Sequence, residues 1–440
     1  MKLSKIEIKN FKSFEDISLD LNDFNVLIGA CASGKSNFIE IFRFIKDISD
    51  DFERAISKHG GDYYLKNFNL NSMNHPCYLK SSFVKTKEEN TLIPILGSKL
   101  KSEDKSIIIM ECEKIDYELM FNFDETTSYK ILHEMVKFSG NFYKIDNEDD
   151  SPKKITDYID DNHKILSSSV SIKNCEGNIS IELEKDVNFL NAEDIIPHYL
   201  IEMSNIHLEN IEKEKRLIIN SALSSAPIPW ASLFKDIKFY DFHPKLCKSM
   251  GLIGGEPTLT EQGDNLPIIL DTILRDKEKR RKFLNLLNNL LPYINNIEVE
   301  KVIEDRRIFT LLENYNKTSI PAPLISDGTS DIIALIVALY FEKGDCILIE
   351  EPERNIHPAL LSKIVQMMKE ASKNKQIIIT THSPEVLKST NLEDIYLISR
   401  NSKGFSIISK PIDNEIVRPF IEELGIDEVY IDDYLGLGND

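Results

Sequence analysis

Positive charge is scarce in this chain of 440 residues: 53 Lys and Arg stand against 72 Asp and Glu, a formal net charge of −19. That balance excludes a surface that coats nucleic acid throughout, because non-specific binding draws on many Lys and Arg contacts. Cysteine is sparse as well. Six are scattered singly with no C-x-x-C pair, which argues against a disulfide framework or a zinc site and fits reduced thiols. Long apolar runs are missing, the stretch from Ile332 to Tyr340 being far too short for a membrane span, and Met1-Lys2-Leu3-Ser4-Lys5-Ile6 has no signal-peptide core. No sustained heptad pattern supports a coiled coil. The expectation is a cytoplasmic protein without membrane contact. Its length and 42% apolar content allow a large core, in one composite domain or two to three units.

What is present is concentrated in a few motifs. Gly29-Ala30-Cys31-Ala32-Ser33-Gly34-Lys35-Ser36 fits the phosphate-loop pattern G-x-x-x-x-G-K-[ST]. Phe24 to Ile28 before it reads as a buried strand, and Phe38, Ile41, Phe42, Ile45 and Ile48 after it fall at helical spacing. Such a loop curls successive N–H groups onto phosphates at a helix N-terminus. Lys35 is placed to neutralise the β- and γ-phosphates and Ser36 to put its hydroxyl on Mg²⁺. The ligand expected is ATP. An ordinary Gly-turn ahead of a helix is the alternative.

The second half supplies acids. Cys346 to Glu353 is an apolar strand ending in adjacent carboxylates, where Glu350 would hold the Mg²⁺ shell and Glu351 would orient or deprotonate the attacking water. Downstream, Gln376 to Pro384 is another buried strand that brings His382 to its polar end, suited to sensing the γ-phosphate. Leu360, Ile364, Met367 and Met368 mark a crossover helix between them, so the unit is strand, helix, strand in parallel. Before the acidic strand, Ile325-Ser326-Asp327-Gly328-Thr329-Ser330 opens a buried helix, Asp331 to Tyr340. Helix capping explains that turn, and so does phosphate binding. The densest basic cluster is Arg275, Lys277, Lys279, Arg280, Arg281 and Lys282, continuing helically through Phe283, Leu286, Leu287 and Leu290. It is either a solvated face balanced by Asp276 and Glu278 or a nucleic-acid contact.

In this order the motifs resemble ABC-class ATPases of the SMC-like and RecF-like branch, which includes OLD-family ATPases and the ATPase subunits of anti-phage systems such as Septu and PARIS. The resemblance rests on I-E-I-K-N-F-K-S-F at 6 to 14, G-A-C-A-S-G-K-S-N at 29 to 37, Q-G-D-N-L-P at 262 to 267, I-S-D-G-T at 325 to 329, I-L-I-E-E-P-E at 347 to 353, N-I-H-P at 355 to 358 and T-T-H-S-P at 380 to 384. It implies an α/β fold: an ABC-type P-loop head with a mixed sheet, formed by residues 1–60 and 236–440, and an inserted α+β lid over 61–235 without a long coiled coil. It implies a nucleotide-binding set of Gly29 to Asn37 and a homodimer around two ATP, or a higher oligomer, in which Ser326 and Gly328 of one copy contact the γ-phosphate held by Gly34, Lys35 and Ser36 of the other. Asn355 to Pro358 stands in the place of the D-loop, coupling the two sites.

Three departures matter. Cys31 replaces the usual Asn and makes the loop sensitive to oxidation. Ala32 replaces a frequent Gly, tolerable if its φ stays negative. No Gln stands where a Q-loop is expected. Within the middle segment, Ser106 to Glu111 and Asn178 to Leu183 read as strands, Tyr199 to Leu223 as helix and Asn147 to Pro152 as an exposed loop. After His382 come strands around Ile395 and Ile407, a helix near Glu415 to Leu424, and no room for the nuclease fused to OLD-family enzymes. The leading expectation is a dimeric ATP-hydrolysing subunit of an anti-phage or DNA-processing complex with a separate nuclease or toxin effector, direct DNA or RNA contact being left open. The alternatives are a RecF-like repair ATPase on DNA and a slow ATP-dependent scaffold for a toxic effector. A transporter subunit fits poorly, since S-D-G-T replaces L-S-G-G-Q.

Overall fold

The computed structural model describes residues 1–67, 75–86, 92–95, 107–123, 129–145, 164–184, 203–204, 211–225 and 229–432. The chain forms two compact units, the first from Met1–Leu21, Ser36–Lys235 and Asn401–Ile407, the second from Asn22–Lys35, Asp236–Arg400 and Ile408–Asp440.

The second unit is built on five parallel strands. Their spatial order is Ile237–Tyr240, Cys346–Glu350, Gln376–Thr381, Phe24–Ile28 and Ile395–Arg400. Both Phe24–Ile28 and Gln376–Thr381 are buried at every position, which explains why these sequences are continuous apolar runs rather than alternating ones. The expected crossover helix is Pro358–Ala371, and it links two neighbouring parallel strands. The helix Asp327–Tyr340 is buried from Thr329 through Leu339. It passes through a core shared with the helices Leu266–Arg275 and Lys277–Leu290. These two are separated at Asp276, whose carboxylate caps the second by accepting from Glu278 N and Lys279 N. A small antiparallel sheet of Gly251–Leu252, Arg306–Glu313, Ile294–Ile303 and Ile320–Pro321 completes this unit's strands among the described residues. Two short helices, Arg418–Leu424 and Ile426–Ile431, follow the last strand; the second was not anticipated.

The first unit is an antiparallel array. Phe14–Asp20, Lys2–Phe11, Cys77–Val84, Ile107–Phe123, Tyr129–Ile145, Lys164–Cys175 and Asn178–Leu183 lie side by side in that order. The helix Lys35–Ile48, which enters this unit at Ser36, buries Phe38, Ile41, Phe42, Ile45 and Ile48 as its spacing requires. Its Phe44 meets Phe11, Phe52 and Phe121 edge-on or tilted. Glu134 is fully buried within the array, where its carboxylate accepts from the backbone N–H of Ile218 and Ile219 and from Tyr117 Oη. Burial pushes it up to about 7 against those bonds.

Two expectations for the middle segment change. The strand foreseen over Ser106 to Glu111 runs on to Phe123. The helix foreseen over Tyr199 to Leu223 is absent from 211–223, which instead hold the 3-10 turns Lys213–Lys215 and Ala222–Ser225; most of 199–210 lies outside the described residues, as does the loop Asn147 to Pro152. Among the described residues the longest helices run 14 residues.

Candidate functional site

In a parallel sheet the chain leaves each strand at the same edge, so neighbouring strands deliver their C-terminal residues to one place. Three adjacent strands here end in Ile28, Glu350 and Thr381. They hand over to the phosphate loop, to Glu351 and to His382.

The loop is held by its own backbone and by the next strand. A Cβ on Gly29 would collide with the carbonyl of Ile398 and lie 2.7 Å from Ser33 Oγ, so only glycine fits there. Arg400 Nε donates to Ala32 O at 2.8 Å, a tether the sequence does not reveal. Gly34 has φ +121°. Ala32 has φ +62°, contrary to the condition set for it above: the residue sits in the left-handed region, where its Cβ is strained. Cys31 is exposed and free. Lys35 is 8% exposed, and its ammonium donates to Gly29 O at 2.7 Å and Ala30 O at 2.9 Å. Burial lowers its pKa, opposed by Cys31 and Glu351. A buried ammonium hydrogen-bonded to neutral carbonyls on a glycine-bearing loop is a donor set suited to a polyphosphate. Ser36 is exposed at the start of the helix. Asn37, included in the expected set, donates to Ser13 Oγ at 2.8 Å within the first unit.

Glu351 stands at φ +43° with its N–H on Thr380 O at 2.9 Å. Its Oε1 lies 3.5 Å from His382 Nε2. Burial lowers the His382 pKa, Lys35 lowers it further, and Glu351 opposes both, a balance that favours the neutral imidazole. Lys35, Glu351 and His382 are therefore brought within electrostatic reach of one another. Glu350 and Glu351 also line a small cavity with Phe242, Asp331, Leu335, Pro352 and Arg354.

Four residues around these carboxylates escaped the sequence reading. Glu353 accepts from Thr381 Oγ1 at 2.6 Å and from His382 N at 3.0 Å, tying the acidic turn to the histidine; burial raises its pKa. Arg354 Nη1 donates to Asp241 at 2.9 Å, while Nη2 and Nε donate to Glu351 Oε2 at 3.2 and 3.3 Å. Asp331 accepts from Asn355 Nδ2 through Oδ2 at 3.0 Å, and its Oδ1 is buried without a partner.

Ser326 and Gly328 have local work that does not need a ligand. Ser326 caps its helix, with Oγ accepting from Thr329 N at 3.3 Å. A Cβ on Gly328 would collide with the Asn355 carbonyl, so this glycine lets the helix N-terminus sit against the turn at 355. Within the basic cluster Lys282 lies over the rings of Tyr340 and Phe341, and Arg280 donates to Asn296 at 3.1 Å. These two cations are spent on packing.

Similarity to known proteins points the same way. Residues 1–387 match the family described as AAA ATPase domain. The "Retron Ec83 probable ATPase" of Escherichia coli is 25% identical over 128 residues, covering 26% of this chain and 23% of that protein. Endonuclease GajA of Bacillus cereus is 25% identical over 399 residues, covering 88% of this chain and 56% of the other. The DNA replication and repair protein RecF of Lactococcus lactis subsp. cremoris is 44% identical over 46 residues, 10% of this chain and 13% of RecF. The chain thus spans about half or less of the length of these curated relatives. The resemblance drawn from motif order is upheld: with the family match extending across 387 residues, the chain belongs to the AAA ATPase domain family.

Proposed function

We propose that this chain binds ATP at Gly29 to Asn37 and hydrolyses it, with Glu351 as the base that takes the proton of the attacking water. The observation that carries this reading is the convergence of buried Lys35, Glu351 and His382 at the ends of three adjacent parallel strands. Lys35 exchanges its two carbonyl partners for the β- and γ-phosphates. Glu351 presents Oε1 to the water, and neutral His382 offers one hydrogen bond to the γ-phosphate as its charge grows. The Ser36 hydroxyl and the Glu350 carboxylate would hold Mg²⁺, which would supply neutralisation of phosphate charge. Ser326 and Gly328 complete the site of a second copy, which makes the working unit a dimer around two ATP. Residues 1–60 and 236–440 then form the head and 61–235 the lid.

The biological setting we propose is a cytoplasmic anti-phage or DNA-processing complex whose destructive step is carried by an effector nuclease or toxin. Relatives named as an endonuclease and as a retron ATPase support it. The short RecF match favours a second reading, direct action on DNA during repair.

The test is nucleotide binding and phosphate release measured side by side. Lys35→Ala is expected to lose ATP binding, whereas Glu351→Gln keeps it and loses turnover by about 100-fold or more. Normal ATP affinity in Lys35→Ala overturns the assignment. Light scattering of Glu351→Gln with and without ATP reads the dimer.

A further inference from the structure

The acidic turn holds a guanidinium whose position is hard to explain as surface decoration. Arg354 follows Glu351 by three residues, and its backbone N–H closes the turn on Glu351 O at 3.0 Å. Its side chain then reaches back. Nη2 and Nε both donate to a single oxygen, Glu351 Oε2, at 3.2 and 3.3 Å, while Nη1 donates to Asp241 at 2.9 Å. The other carboxylate oxygen, Oε1, is the one that faces His382. Asp241 comes from elsewhere in the chain: it leaves the edge strand Ile237–Tyr240, and its N–H is fixed to Glu261 O at 3.0 Å.

An ion pair this exposed contributes little to stability, because screening and side-chain entropy offset the Coulomb gain. Geometry is another matter. A planar guanidinium can bind two carboxylates in fixed relative positions, which an ammonium cannot do. Glu351 has three side-chain torsions to fix, and it starts from a left-handed backbone with φ +43°. A clamp on Oε2 leaves Oε1 as the free oxygen.

Resting on the reading of Glu351 as the base, we infer that Arg354 is a positioning residue: it anchors Glu351 Oε2 to Asp241 and so turns Oε1 toward His382 and the attacking water. Asp241 is the fixed point of this clamp. The reaction is unchanged in its chemistry, with the proton still passing from water to Glu351; what the clamp sets is the fraction of time the carboxylate points correctly.

The experiment compares steady-state ATP turnover and separate nucleotide titration for the full chain and for Arg354→Ala, Arg354→Lys, Asp241→Ala and the Arg354→Ala/Asp241→Ala pair, with Glu351→Gln as reference. Arg354→Ala is expected to lower kcat by about 10- to 100-fold, the scale of a misplaced catalytic group, with ATP affinity and KM within about twofold. Arg354→Lys recovers part of that loss by restoring one bond to Glu351. Asp241→Ala lowers kcat less, and the double variant falls no further than Arg354→Ala, since both remove one clamp. Wild-type or raised kcat in Arg354→Ala overturns the inference, as does a parallel fall in ATP affinity or additive losses in the pair. If Glu351→Gln turns over normally, the base assignment falls and the clamp with it. If Glu351→Gln is inactive while Arg354→Ala is unaffected, only the clamp falls.

Discussion

Asp331 offers a quantitative check on the junction between the helix Asp327–Tyr340 and the turn at Asn355. It is 6% exposed, accepts one hydrogen bond from Asn355 and leaves Oδ1 without a partner; the residue lines a small cavity together with Glu350 and Glu351. Burial raises its pKa from 3.8 to about 6; Asn355 opposes the rise, Asp327 adds to it, and Arg354 and Lys248 oppose it. Because the folded value is the higher one, the unfolded chain gives up this proton first. Stability therefore falls as pH rises from 3.8 through 6, and the full penalty, about 3 kcal/mol for a shift of about two units, persists above that range. Asp331→Asn removes the titration. The amide oxygen still accepts from Asn355, and a neutral N–H₂ replaces the buried, unpartnered Oδ1. Urea unfolding followed by far-UV circular dichroism is expected to show Asp331→Asn more stable than wild type by up to about 3 kcal/mol at pH 8, with the gain shrinking toward zero near pH 4. No gain at pH 8, or an equal gain at both pH values, refutes the account of Asp331 as a buried charge tolerated at the site.

Two further outcomes follow from strain and charge elsewhere. Ala32→Gly relieves a left-handed alanine, worth about 1 to 2 kcal/mol, but gives the unfolded chain more freedom, worth about 0.5 to 1 kcal/mol; thermal unfolding should show anything from no change to a gain of about 1.5 kcal/mol, and a clear loss would mean that the methyl group packs. His59 is buried with Nδ1 2.9 Å from Glu40 and Nε2 2.8 Å from Asp47. Burial disfavours the imidazolium but the two carboxylates outweigh it and raise the His59 pKa. Burial works against Glu40 too, yet His59 and Lys12 bring it down to about 2. The histidine's contribution is complete below its ordinary value of 6.5 and fades as pH rises through the folded value; that of Glu40 is complete above 4.5 and fades as pH falls toward 2. His59→Phe should cost about 1 to 3 kcal/mol near pH 6 by removing one partner from each carboxylate while Lys12 stays on Glu40 and Lys58 on Asp47, and its stability should vary less with pH on the alkaline side. A wild-type-like alkaline slope in His59→Phe would sink this reading.

The second unit was legible because each of its functional strands is an apolar run that stops at a polar residue. Phe24–Ile28, Cys346–Glu350 and Gln376–Thr381 lie where the pattern placed them, since a strand buried on both faces leaves no alternation to misread. The first unit hid its strands for a specific reason. In Ile107–Phe123 the buried positions are Ile109, Met110 and Cys112, then Ile115, Asp116, Tyr117, Leu119, Phe121 and Phe123. Strict alternation holds only from Tyr117 to Phe123; on both sides of the register shift between Cys112 and Lys114 adjacent residues are buried together. A β-bulge adds one residue and flips the face, so a period-two pattern followed from Ser106 breaks off near Glu111. In the neighbouring strand Tyr129–Ile145 a charged residue, Glu134, takes a core position, because Ile218, Ile219 and Tyr117 supply its hydrogen bonds from elsewhere in the chain. No local pattern announces that.

The acidic turn shows the same division between identity and partnership. Glu351-Pro352-Glu353-Arg354-Asn355 was readable as residue types, and Glu351 was assigned a role from its place after an apolar strand. Glu353 and Arg354 were given none and Asn355 only its place in the D-loop, because each acts on something distant in sequence: Glu353 on Thr381 and His382, Arg354 on Asp241, Asn355 on Asp331. The turn begins and ends with non-glycine residues at positive φ, Glu351 at +43° and Asn355 at +61°. Ala32, on the phosphate loop, is a third. Such conformations cost on the order of 1 to 3 kcal/mol each and persist only when surrounding bonds over-determine them. Here those bonds are the three side-chain clamps on the turn and the Arg400 tether on the loop. Strain borne by the backbone is thereby exchanged for fixed directions of the Glu351 carboxylate and the loop N–H groups, the two directions on which the proposed in-line attack on ATP rests.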